Sequence, residues 1–461
     1  MGIKKRLVFL NFLQFFVWGC WLITIGAYWF QTKHWSGTDF GTIFSTMGIA
    51  SLFMPAIAGI VADRWVNAER LYGSFHLIGA VILFFVPTIT DPSAMFWIIL
   101  LYMIFYMPTI ALAITVSYSA MKSKGMDIVK EYPPIRVWGT IGFIIALWII
   151  SLSGVETSAV QFYVASAASL ILGMYSFTLP ACPPLGKGVK RSLVSALGLD
   201  AFALFKKGKM ALFFVFAMLL GAALQLTNAY GDTFLHDFSK IPGYKHLIDL
   251  FNANFFSHIK ELLNNLSFSG IKIFFSYILN YEGLITALSV KYPAIIMSIS
   301  QISETLFILT IPFFLRKFGI KKVMLFSMIA WVLRFGLFAY GDPAEGLWMI
   351  ILSCIIYGMA FDFFNISGSI YVETQSDPAH RASAQGLFMM MSNGFGAVLG
   401  SRISGVVIDT YFKVSSDPNK IQFDWHGIWL AFAGYAIVVA VLFAVFFRYK
   451  HDPKTLEVST P

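Results

Sequence analysis

The sequence predicts an all-α protein that crosses a membrane about twelve times, in two six-helix halves, and three observations carry that prediction. Of 461 residues, 58% are hydrophobic and only 12% charged, against roughly 25% charged in an ordinary soluble domain. The mean hydropathy is +0.73. Apolar residues therefore cannot be confined to one face of each helix, and most segments must meet lipid as well as one another. Finally, apolar runs of about 20 residues, the length of a bilayer-spanning helix, recur along the whole chain.

The first run, Leu7–Phe30, follows Lys4, Lys5 and Arg6 as a signal peptide would. It is longer than a signal core and lacks a small-x-small cleavage site, so it is expected to remain as the first helix. Phe40–Ala62, Leu71–Thr90, Ala94–Ser119, Ile135–Ser153 and Gln161–Leu179 complete six spans. The basic stretch Pro180 to Lys209 follows, and its Pro183, Pro184, Gly186 and Gly188 disfavour a continuous helix. Beyond it lie Met210–Phe234, Tyr292–Leu315, Val323–Tyr340, Leu347–Val372, Ala384–Tyr411 and Gly427–Phe447. Two similar halves around a midplane site are a known transporter plan.

The domain limits expected are an N-terminal half over 1–180, a cytoplasmic linker over 181–209, a C-terminal half over 210–450 and a tail over 451–461. The symmetry is broken once, by an external insertion over 237–291. Within it Leu247, Ile248, Leu250, Phe251, Phe255, Ile259, Leu262 and Leu263 recur near helical spacing, with charged residues between them. That pattern suits an amphipathic helix on the membrane or outer mouth. A tolerated loop insertion is the alternative.

The formal charge of +9 would suggest an anionic partner in a soluble protein. Its placement says otherwise. With the N-terminus in the cytoplasm, 22 of the 33 basic residues fall in cytoplasmic segments, eight in outer loops and three (Arg136, Arg334, Arg402) inside spans. The positive-inside rule then puts both termini in the cytoplasm. Because the excess is spread over several loops, it is a topology signal and not a nucleic-acid surface.

The sequence also lacks the motifs of other membrane functions. No phosphate loop occurs: Gly186-Lys187 is followed by Gly188, and Gly208-Lys209 by Met210. Neither a nucleophile elbow nor a paired-histidine zinc motif is present. Gly394-Phe395-Gly396-Ala397-Val398-Leu399-Gly400 imitates a dinucleotide fingerprint, but it lies inside an apolar span with no preceding strand, where close helix packing explains it. Cys20, Cys182 and Cys354 are too scattered for a disulfide framework or metal site. The chain is expected to be no enzyme and to use no cofactor or metal.

The loop after the second span reads Gly59-Ile60-Val61-Ala62-Asp63-Arg64-Trp65-Val66-Asn67-Ala68-Glu69-Arg70. It resembles the Gly-x3-Asp-Arg-x5-Arg loop of the major facilitator superfamily, at the place where that family puts it. Asp63 is expected to cap a helix while Arg64 and Arg70 reach neighbouring helix ends, so these three residues would gate and not bind.

A resemblance to one branch of that superfamily covers nearly the whole chain. Phe12-Leu13-Gln14-Phe15-Phe16-Val17-Trp18-Gly19, Pro133-Pro134-Ile135-Arg136-Val137-Trp138-Gly139-Thr140, Ser300-Gln301-Ile302-Ser303-Glu304-Thr305 and Ala360-Phe361-Asp362-Phe363-Phe364-Asn365-Ile366-Ser367-Gly368 resemble the bacterial nucleoside:proton symporters. So do Leu197-Gly198-Leu199-Asp200-Ala201-Phe202 and Arg381-Ala382-Ser383-Ala384-Gln385-Gly386. The resemblance implies a major facilitator fold and a secondary transporter in the bacterial inner membrane, carrying nucleosides inward with protons. Members of that family have a much shorter loop where this chain has 237–291.

Charges within spans are costly in hydrocarbon and usually face a cavity. Glu304 lies about 16 Å along its helix from Pro293, and Asp362 about 22 Å from Leu347, so both fall deep in the membrane. Arg136, Thr140 and Phe143 form one helical stripe that could present a cation, a hydroxyl and a ring to a cavity. The family resemblance assigns this stripe to the substrate. Gln225 with Asn228, and Gln301 with Glu304, each share a helix face. Amides match both the donors and the acceptors on a nucleobase edge, and a carboxylate can accept from ribose hydroxyls. Tyr357, Phe361 and Asp362 stand together on the tenth span, where a base could stack on a ring. Arg334 and Arg402 are expected to pair with Asp342 or Asp409.

The expected machine is a monomer surrounded by lipid, with nucleoside and proton as its partners. Asp362 is the first candidate for proton carrier and Glu304 the second, with Arg136 alternately pairing with and releasing the carboxylate. A proton symporter for another polar solute, such as a sugar, and a non-transporting nucleoside receptor remain alternatives. The charge census gives a direct test of orientation. Cysteines introduced between Lys187 and Lys209 should react only from the cytoplasmic side, and those between Asp237 and Lys291 only from outside; the reverse pattern would overturn the topology.

Overall fold

The computed structural model is almost entirely helical and describes residues 2–184, 199–252, 284–376, 381–415, 417 and 420–449. Each apolar run becomes a helix. In chain order they are α1 (Ile3–Gly19), α2 (Gly37–Arg64), α3 (Ala68–Phe85), α4 (Pro92–Lys122), α5 (Ile128–Leu152) and α6 (Val160–Ser176). The second set is α7 (Gly208–Asp237), α8 (Pro293–Phe318), α9 (Ile320–Tyr340), α10 (Leu347–Gln375), α11 (Arg381–Met389 with Ala397–Tyr411) and α12 (Trp425–Phe446). Among the described residues nine of these are long and apolar enough to cross a membrane. The other three are cut short or interrupted.

The interruptions are where the fold departs from a uniform apolar run. The first span stops at Gly19, turns, and resumes as a short helix at Ile25–Ala27 and a wide π turn at Tyr28–Lys33. The second breaks at Ser45, whose hydroxyl donates to the Thr42 carbonyl. The eleventh contains a π turn at Met390–Gly396. Such turns are uncommon inside helices and often lie at functional sites.

Packing repeats between the halves. In the first, α1 lies on α5, α2 on α4 and α3 on α6; in the second, α7 lies on α11, α8 on α10 and α9 on α12. The halves meet through the short helix Ile25–Ala27 with α7, α2 with α11, and α5 with α8. At one end of the bundle they are drawn together by small residues: a Cβ on Gly41 would lie 2.2 Å from the Ser401 carbonyl oxygen, and one on Gly405 2.3 Å from that of Gly37. Asp409 accepts from the Gly37 and Thr38 amides at 2.8 and 2.6 Å, an acidic group placed on the N-terminus of α2. Trp148 Nε1 donates to Ser298 Oγ at 2.9 Å, joining α5 to α8. By contrast, the described polar ties at the opposite end, such as Lys4 with Glu131 and Lys321 with the Ala444 carbonyl, stay within one half. This conformation is closed at the end of the bundle where α2 begins and α11 ends.

Of the insertion, residues 242–252 are helical, with Phe251 buried beneath the Lys291 ammonium, 4.9 Å from its ring centre. Phe255, Ile259, Leu262 and Leu263, residues 185–198 of the linker and the tail over 451–461 lie outside the described residues.

Gly41→Ala should therefore pry the outer face open, since overpacking a helix contact costs about 1–3 kcal/mol. A cysteine at Thr38 should then react faster with an impermeant maleimide added outside, and uptake should fall. Unchanged labelling and uptake would show that the α2 and α11 backbones need not approach so closely.

Candidate functional site

Arg136 is half-buried on α5, with its guanidinium 4.0 Å above the ring of Phe15 on α1. Gly139 makes that position possible: a Cβ there would lie 2.7 Å from both Arg136 Nη1 and Phe15 Cδ2. The aromatic face offsets part of the cost of removing the cation from water. Thr140 is half-buried one turn on. Phe143 is 8% exposed, and its backbone lies against Gly19 of α1.

Across the interface, α8 and α10 touch backbone to backbone. A Cβ on Gly358 would come within 2.6 Å of the Ser303 carbonyl oxygen and 2.8 Å of the Glu304 nitrogen, and the Ser303 hydroxyl donates to the Ile355 carbonyl. This contact brings Glu304 beside the helix that carries Asp362. Asp362 is 5% exposed, and its Oδ2 has no hydrogen-bond partner among the described residues. The two carboxylates interact electrostatically, and Glu304 in turn interacts with Arg136. Among the described residues neither carboxylate lies within the 4.0 Å of a direct ion pair with Arg136. The pair expected between Arg136 and Asp362 is thus not formed here; the carboxylate acting on Arg136 is Glu304, carried past Gly358 by the tight crossing of α8 over α10.

Gln225 is buried and Asn228 half-buried on α7, and Gln301 is half-buried on α8. Gln225 Oε1 and Gln301 Oε1 are buried acceptors without a partner among the described residues. Tyr357 and Phe361 are parallel, with ring centres 6.0 Å apart and planes 7° from parallel. Phe361 also borders a small cavity with Trp331, Asn365, Ser392 and Asn393. The apolar groove of about 300 Å³ between α7, α11 and α12 lies elsewhere, and its exposed Leu399 and Ile403 put it on the bundle surface.

Two arginines do not follow the sequence expectation. Arg334, 1% exposed, pairs with neither Asp342 nor Asp409. It donates to Thr227 Oγ1 at 3.0 and 2.7 Å and to the Ser353 carbonyl at 2.7 Å, and lies 4.6 Å from the Tyr357 ring centre. Asp342 instead accepts from the Ala344 and Gly346 amides. Arg402 reaches Ser45 at 3.3 Å, because Asp409 is engaged by the amides opening α2.

In the loop motif, Asp63 caps no helix among the described residues: it is exposed in the last turn of α2, and α3 opens later, after Asn67. Arg64 shares that turn and Arg70 is exposed, 3.9 Å from Glu69. The buried member is Glu69, whose carboxylate accepts from the Cys182 amide at 2.8 Å and Asn67 at 3.1 Å. A further cluster escaped sequence reasoning altogether. Glu156, Asp232 and His236 offer ligand-type atoms that all lie within 4.8 Å of one another. The i,i+4 spacing of Asp232 and His236 was its one visible trace.

Comparison with known proteins agrees with this architecture. A family model described as nucleoside H+ symporter matches residues 1–452. The chain is 49% identical to the xanthosine permease of Escherichia coli (strain K12) over 458 residues, covering 99% of each. It is also 49% identical to the nucleoside permease NupG of the same organism over 452 residues, 98% of this chain and 97% of the relative. The crystal structure of nucleoside transporter NupG superposes with a TM-score of 0.82 at 48% identity, covering 98% of this chain and 100% of the other. A D-xylose-proton symporter shares the fold alone, with a TM-score of 0.62 at 12% identity. With its described helices in the major facilitator arrangement, the chain belongs to the nucleoside H+ symporter family.

Proposed function

We propose that the chain imports nucleosides with protons by alternating access, using Arg136, Thr140 and Phe143 of one half and Gln225, Asn228, Gln301, Glu304, Tyr357, Phe361 and Asp362 of the other. One observation carries this: the cation stands on the first half and both carboxylates on the second. Any rocking of the halves changes the distance between them, and with it the preference of the carboxylates for a proton. Three buried acceptors without partners among the described residues, on Gln225, Gln301 and Asp362, support a ligand rich in donors. Ribose hydroxyls and base amino or imino groups are such donors, and the Tyr357–Phe361 pair offers them an aromatic neighbour.

The proton step follows from charge. One cation and two interacting carboxylates are neutral together only when one proton is shared between them, so Glu304 and Asp362 titrate as a pair. Protonation from outside neutralises the excess and lets the loaded halves close over the solute. Opening inward brings Arg136 and a carboxylate back into balance and releases both passengers. The protein works as a monomer of the inner membrane with both termini cytoplasmic, and its rocking units are 1–180 and 210–450. Asp63, Arg64 and Arg70 are the cytoplasmic-side contacts that change as the inner face opens.

Replacing Gln225, Asn228 or Gln301 with Ala should weaken nucleoside binding roughly 2- to 12-fold, the worth of one neutral hydrogen bond. Binding measured on purified, folded variants checks this, and hexoses should not compete. Unchanged affinity in all three would remove the proposed site.

Asp362→Asn, which imitates the protonated acid, should keep nucleoside exchange but abolish uphill, proton-dependent accumulation in vesicles. If that variant still accumulates nucleoside and acidifies the lumen in step with it, the coupling proton belongs to Glu304.

A further inference from the structure

The outer face is held shut by more than close packing. Glu156, in the turn between α5 and α6, reaches across the interface into direct contact with His236 Nε2 near the end of α7. Asp232, one turn earlier on α7, places Oδ2 3.7 Å from the same nitrogen. Glu156, His236 and Asp232 are all buried, at 3%, 8% and 0% exposure respectively. Both oxygens of Asp232 lack a hydrogen-bond partner among the described residues. Glu156 Oε1 has one distant donor, the Ala294 amide opening α8, at 3.4 Å.

That composition is out of balance. A protonated histidine can neutralise one carboxylate, and a second unpaired carboxylate in a dry interface is strongly disfavoured. The neighbouring charges do not correct it. Lys240 is paired with Asp237 at 2.9 Å, and Asp237 also accepts from Trp425 Nε1 at 2.8 Å. A divalent cation would neutralise both carboxylates and take the imidazole in its neutral form, the form that ligates. One histidine nitrogen and two carboxylates, with a fourth position for water, make an N/O donor set typical of zinc. At metal–ligand distances of about 2.0–2.2 Å, ligand atoms lie roughly 3–4 Å apart, as Asp232 and His236 already do. Only the Glu156 side chain must draw back from the ring.

We propose that Glu156, Asp232 and His236 form a binding site for a zinc-class divalent cation that bridges the two halves and holds the outer face closed. Because Glu156 belongs to one half and the other two ligands to the second, the site is complete only in the outer-closed conformation. It is dismantled when the outer face opens. The cation enters from the outer solution as the face closes. It therefore acts on the cycle without touching the nucleoside site, and excess external zinc arrests the carrier.

The test uses the full-length protein in proteoliposomes and as purified in detergent, with zinc chloride as the probe. Micromolar zinc added outside should inhibit nucleoside uptake, reversibly with EDTA and without competition from nucleoside. His236→Gln and Glu156→Gln should each raise the inhibitory concentration roughly tenfold or more. To keep the test independent of transport activity in either variant, zinc bound to purified protein is measured alongside by equilibrium dialysis: one ion per wild-type chain, and none when both ligands are replaced. Absence of bound zinc in the wild type would overturn the site and leave the cluster to be balanced by protons. Equal zinc binding by the wild type and the double variant would overturn it as well.

Discussion

The architecture depends on one electrostatic constraint: a cation and two carboxylates must be kept in the middle of an apolar bundle without being locked together. Arg136 is housed on an aromatic ring, in space left by Gly139, and not in a tight salt bridge. Glu304 and Asp362 are brought near one another by the glycine contact at Gly358. A rigid bidentate pair would stabilise one state and stall the cycle. Partners at intermediate distance can be shifted by small rigid-body movements, which suits a carrier whose halves must exchange conformations without a large free-energy gap between them.

Around that centre the second half is braced by a charge with another purpose. Arg334 ties α7, α9 and α10 through Thr227, Ser353 and Tyr357. Its partners adjoin the proposed solute contacts: Thr227 lies between Gln225 and Asn228, and Tyr357 stacks with Phe361. Burying a guanidinium is tolerable where hydroxyls, a carbonyl and two aromatic faces satisfy it together. The bracing ties α7, α9 and α10 together on one side of the proposed site.

The spans were legible because twenty-residue apolar runs have few alternative fates in a membrane protein. Their interruptions were not. The breaks after Gly19 and at Ser45, and the π turns, arise from local hydrogen bonding and from the helix lying alongside, neither of which alters hydropathy. In the site, Glu304 and Asp362 stood out as acids in apolar surroundings, whereas Arg136 needed the family motif to be chosen. The partners of Arg334 were invisible because hydroxyls and carbonyls leave no charge pattern. Glu156 was hidden for another reason: its contacts on α7 are remote in the chain, in the other half, and only the packing of the two halves unites them.

The π turn at Met390–Gly396 makes the C-terminal half of α11 a matter of counting. A π turn accommodates an additional residue within a helix, and each residue rotates the remainder of the helix by about 100°. Arg402 and Asp409 therefore face α2 because of how many residues precede them, as well as because of what they are. Along this helix a single-residue insertion or deletion would reassign the interface wholesale, even with every close-packed glycine retained. Length, in that stretch, is a physical constraint beside identity.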